Sequence, residues 1–115
     1  MNDIQEKYNL FVQSCAKPMS SQIENVLHSA IGISGEGGEI LDAIKKTWVY
    51  NKELDIKNLH EELGDLLFYT QMMCNIFGWT LDELIEANME KLSKRYPSGY
   101  SDAHAQARMD KNKLI

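Results

Sequence analysis

Apolar residues along most of this chain recur at intervals of three and four rather than two. That spacing selects helices, because residues three and four apart share one face of an α-helix, whereas a half-buried strand needs strict alternation. Cap chemistry marks the ends. A first helix is predicted from Asp3 to Ala16, with Ile4, Tyr8, Phe11 and Val12 on its apolar side, until Pro18 interrupts it. The second opens on "SQIE", a capping box in which the Ser21 hydroxyl accepts from the Glu24 amide while Glu24 reaches back, and it extends to about Tyr50. The third spans Ile56 to Phe77 between Asp55 as N-cap and Gly78 as a left-handed stop, with Leu59, Leu63, Leu66, Leu67, Thr70, Met73 and Phe77 as its buried stripe. The fourth starts at "WTLDEL", where Thr80 and Glu83 make a second capping box and Trp79 can staple onto Leu84. It ends near "KRYPSG", and from Ser98 the chain reads as a polar, irregular tail over the bundle or over a neighbouring subunit. The expected class is all-α, a four-helix bundle.

At 115 residues, 43% hydrophobic and 25% charged, the chain suits a single domain, 1–115, with a modest core. A formal net charge of -5 argues against a nucleic-acid polymer as partner, since neutralising phosphates needs a basic face. A small phosphorylated ligand stays open, because a metal ion can supply positive charge. No stretch approaches the roughly 20 apolar residues of a membrane span, and the amino terminus has no apolar run of signal length. The expectation is a cytoplasmic protein without a membrane partner. Cys15 and Cys74 lack CxxC spacing and read as small buried hydrophobes.

Chemistry concentrates in carboxylates. Glu36 and Glu39 share a face of helix two, and Glu62 and Asp65 share a face of helix three. If helix two ends near Tyr50, Glu39 lies about 15 Å before the turn and Asp65 about 14 Å after it, so the pairs meet at one level of an antiparallel hairpin. Four facing carboxylates repel and raise one another's pKa unless a divalent cation lies between them. An all-oxygen set favours Mg²⁺ or Mn²⁺ over zinc or copper. A single ExxE is ordinarily a solvated helix face. Two at matching depth on adjacent helices weigh against that ordinary reading.

The neighbouring glycines fit that reading. The face of helix two around the glutamates carries His28, Gly32, Gly35, Ala43 and Lys46, so Gly32, Gly35 and Gly38 are expected to open a trough beside the metal or to allow close helix approach. On helix four, Leu81, Leu84, Ile85 and Leu92 define the apolar side and Asn88 falls on it, followed by Lys91 and Arg95. Asn88 is either a buried amide satisfied by backbone or, with Lys91 and Lys45 or Lys46, a holder of phosphate oxygens.

The segments "LHSAIGISGEGGEILDAIKK", "EELGDLLFY" and "NMEKLSKRYPSGY" resemble the MazG-like all-α nucleoside triphosphate pyrophosphohydrolases, whose hallmark is ExxE, a variable connector, then ExxD. The resemblance covers roughly residues 26 to 100. It implies Mg²⁺-dependent hydrolysis of a (d)NTP between its α and β phosphates to (d)NMP and pyrophosphate, with house-cleaning of nucleotide pools as the family-level role. It implies Glu36, Glu39, Glu62 and Asp65 as metal ligands, one of them helping to activate water. Asn88 and Lys91 match positions that contact phosphates, and Arg95 begins "RYP". Gly37 departs mildly from the pattern, which commonly has alanine there. The resemblance also implies homodimers or homotetramers with sites near subunit boundaries. Of the residues that could hold a base, His28, Trp48, Tyr69 and Trp79, the first and second are the stronger candidates.

Two other readings compete. A di-iron carboxylate bundle needs Glu-x-x-His, and no histidine follows Glu36 or Glu62 at that spacing. A catalytically silent relative would bind nucleotide or protein without turnover, against which the intact carboxylate set argues.

Overall fold

A computed structural model describes residues 3–111. The described chain is all-α, with α1 (Asp3–Cys15), α2 (Gln22–Tyr50), α3 (Ile56–Phe77), α4 (Leu81–Arg95) and α5 (Asp102–Ala107). Two compact units result: α1 to α3 form one and α4 with α5 the other. No helix is long and apolar enough to cross a membrane among the described residues.

Ser21 and Asp55 cap α2 and α3 and Gly78 stops α3, as the sequence predicts. Ser21 Oγ accepts the Glu24 amide at 3.3 Å, but Glu24 does not reach back to backbone; its Oε1 accepts from the hydroxyls of Ser20 and Ser21 at 2.9 and 3.0 Å. Asp55 accepts the Asn58 amide at 3.0 Å, and Gly78 closes α3 at φ 71°, a left-handed conformation in which a side chain would be strained. Between α2 and α3 only residues 51–55 intervene, so the helices run antiparallel: His28 and Gly32 meet Tyr69, and Glu36 meets Glu62 and Asp65.

Burial corrects the expected core. Val12, Met72 and Cys74 are the buried apolar residues among those described, joined by Ser29 and Gln71. Gln71 Nε2 donates to Asn75 Oδ1 at 2.8 Å and Asn75 Nδ2 donates to the Asn9 carbonyl at 3.3 Å, a polar seam tying α3 to α1. The α3 stripe is only half covered: Leu63 is 58% exposed, and Leu67 and Phe77 are exposed too. Ile4 and Phe11 on α1 are likewise exposed. Periodicity marks a helix's apolar face; it does not supply a neighbour to cover it. Asn88 is exposed, so it needs no buried partner. Cys15, at the last position of α1, is exposed, whereas Cys74 is buried.

The tail is not irregular throughout. Ser101 caps α5 by accepting the His104 amide at 3.0 Å, and Arg108 ends it in the left-handed region. Arg95 at the end of α4 holds the chain beyond α5, donating from Nε and Nη2 to the two oxygens of Asp110 at 2.9 and 3.1 Å. The Asp110 side chain is fully shielded from solvent.

Candidate metal centre

Glu36 projects from the middle of α2, and Glu62 and Asp65 from the early turns of α3. Each offers an oxygen within 4.8 Å of the others. Three carboxylates this close cannot all remain charged at no cost. The hydrogen bond between Glu62 and Glu36 raises the Glu62 carboxyl above its ordinary value, reinforced by burial and by the charges of Glu36 and Asp65. A cation placed among these oxygens would relieve the same crowding.

Glu39 stands outside this trio. It is exposed, and it lines an adjoining polar cavity of about 330 Å³ with Glu62, Asp42, Lys46, Lys52 and Asn58. Lys46 is paired with Asp42 at 3.2 Å, one turn away on the same helix. Lys52 and Asn58 were not anticipated, because the connector and first turn of α3 carry no motif; only the folded turn brings them beside Glu62.

Tyr8 is the other addition. Assigned by periodicity to a core stripe, it lies near enough to Asp65 that its phenol is raised, first by burial and then by the Asp65 charge. Tyr8 thus brings α1 within electrostatic range of Asp65.

The glycines divide. A Cβ on Gly32 would fall inside the Tyr69 ring, so this glycine permits close helix packing and opens no trough. Gly35 and Gly38 are exposed, with no described atom within 4 Å of where a Cβ would stand, and neither lines the polar cavity. His28 is half-buried with its ring edge-on to Tyr69, centroids 6.2 Å apart. Trp48 is 84% exposed. On α4, Asn88 and Lys91 are both exposed, while Arg95 is engaged by Asp110.

Fold and site together define an all-helical protein whose central antiparallel pair carries a cluster of acidic oxygen donors. Residues 29–100 match the MazG nucleotide pyrophosphohydrolase domain, and the chain belongs to that family. It is similar to the Gene 37 protein of Mycobacterium phage L5, at 30% identity over 82 residues, 67% of this chain and 71% of that protein. No solved structure matches it.

Proposed function

We propose that this protein is a cytoplasmic, Mg²⁺-dependent nucleoside triphosphate pyrophosphohydrolase that converts a (d)NTP and water to (d)NMP and pyrophosphate, in a house-cleaning role. The carrying observation is the approach of Glu36, Glu62 and Asp65 to within 4.8 Å across α2 and α3 of a MazG-family chain. The donors suit Mg²⁺ or Mn²⁺: all are oxygens, and three carboxylates within 4.8 Å of one another form a charge cluster that a hard cation would offset. Bound there, the cation offsets charge on the phosphate oxygens and lowers the pKa of water.

The chain's own residues do the rest. Glu36, Glu62 and Asp65 would hold the ion, with Glu39 completing the set from the adjoining cavity. One of the four carboxylates takes the proton of the attacking water. Lys46 sits in the polar cavity as a phosphate contact, and Asn88 and Lys91 serve the same end from α4. Arg95 reaches phosphate only by exchanging Asp110 for it. His28 and Trp48, on opposite sides of the carboxylates along α2, are alternative base contacts.

We also propose that the active form is a homodimer or homotetramer of a single domain, 1–115. Ile23, Leu27, Ile31 and Leu41 lie exposed along α2, an apolar face that another copy would cover. The reaction is tested by ³¹P NMR of triphosphate turnover with Mg²⁺. Monophosphate with pyrophosphate is expected; diphosphate with orthophosphate, or no turnover, would contradict the assignment.

A further inference from the structure

A second cavity, of about 230 Å³, lies where the end of α1 and the loop after it meet α2 and α3. Its walls include Ala16, Pro18, Met72 and Ile76, with Asn25 and His28 among the polar groups. Its polar atoms are unequally committed. Asn75 is spent on both sides, donating to the Asn9 carbonyl and accepting from Gln71. Asn25 Oδ1 accepts the Met19 amide at 2.8 Å, which leaves its Nδ2 donor unused among the described residues. The His28 ring touches Tyr69 edge-on, and its nitrogens form no hydrogen bond to a described residue. Exposed Gln13 and Lys17 also line the slot, while its half-buried polar groups leave one amide donor and one imidazole uncommitted, the composition of a site for a small planar heterocycle.

Its position matters as much as its lining. His28 precedes Glu36 by eight residues of one continuous helix, about 12 Å of rise. On α3 the order runs the same way, from Asp65 at the carboxylates to Met72 and Ile76 in the cavity wall. Tyr69, packed on Gly32, lies between the two levels. An extended nucleotide with its phosphates at the carboxylates would run past Tyr69 and bring its base to this cavity. Trp48 lies twelve residues beyond Glu36 in the opposite direction and lines neither cavity.

Resting on the hydrolase reading, we infer that this cavity is the nucleobase subsite, taking a carbonyl-bearing base between Pro18 and the Met72–Ile76 wall. Asn25 Nδ2 donates to the exocyclic carbonyl and His28 contacts the adjacent edge. Adenine, which offers ring nitrogens but no carbonyl, binds worst.

Nucleosides without phosphate, titrated into the ¹⁵N-labelled full chain without Mg²⁺, test the subsite apart from the reaction. Uridine, cytidine and guanosine are expected to shift the Asn25 side-chain amide and the His28 signals more than adenosine does. Ala16→Phe, which fills the mouth, and His28→Ala should each weaken uridine binding at least about tenfold, on the scale of a lost hydrogen bond to a buried group. Both variants should bind Mg²⁺ with inorganic tripolyphosphate, a base-free probe, as wild type does. Unchanged uridine affinity in both variants, shifts centred on Trp48, or an Ala16→Phe effect confined to oligomeric state would overturn the inference. Nucleoside binding here without pyrophosphate release from any triphosphate would keep the subsite and sink the hydrolase reading.

Discussion

Gly32 and Gly38 lie six residues apart on α2 and answer to different neighbours. At Gly32 an added methyl meets the Tyr69 ring, so Gly32→Ala should destabilise by about 1–3 kcal/mol, an overpacking effect read by denaturant unfolding. At Gly38 the same methyl meets no described residue. The carboxylates yield a second residue-scale expectation. Wild type should gain about 2.7 kcal/mol of stability at a Mg²⁺ concentration 100 times Kd. Glu36→Gln should lose that gain without lowering metal-free stability, because it removes one of three crowded charges; thermal melts with and without Mg²⁺ check both. The meeting of Glu36 with Glu62 and Asp65 was legible from i, i+3 spacing and the matching depth of the two pairs, although the same spacing also placed Glu39 in the set, outside which it stands. Tyr8 beside Asp65 was not, because the register of α1 on α3 is a tertiary fact that periodicity within α1 does not encode.

Helix ends were read closely from Ser21, Asp55 and Gly78, whose side chains or φ act within a few residues of themselves. The six-residue α5 escaped that reading. A helix so short is marginal in water and persists here because Ser101 caps it and Arg95 ties down the segment beyond it through Asp110. Asp110→Ala should therefore speed amide exchange across residues 102–107 and leave α2 and α3 unaffected. The pH dependence has a definite sign. The Arg95 guanidinium holds the Asp110 carboxyl far below its ordinary range, so the native state binds fewer protons than the unfolded chain. The contribution is complete above the ordinary carboxylate range and is lost as pH falls below it. Exchange protection of α5 should thus hold unchanged from pH 7 to about pH 5, above the reference Asp value near 3.9, and decline only in stronger acid. Protection lost already near pH 6 would contradict this.

At the scale of the molecule, the exposed leucines and isoleucines of α2 and α3 outnumber what three buried apolar residues can anchor. The hydrophobic pattern showed where apolar faces lie but was silent on whether this chain or another covers them, which is why the predicted α3 stripe is half bare. If a second copy covers α2, Leu41→Lys should shift the protein to a smaller species in sedimentation, whereas a wild-type monomer would remove the proposed assembly. The central claim is that the α2–α3 carboxylates work on a nucleotide anhydride. Its most direct test is pyrophosphate release from ribo- and deoxyribonucleoside triphosphates with Mg²⁺, comparing wild type with Glu62→Gln. Metal-dependent release that disappears in the folded variant is the predicted result; no release from any triphosphate by folded wild type, or release undiminished in Glu62→Gln, would contradict it.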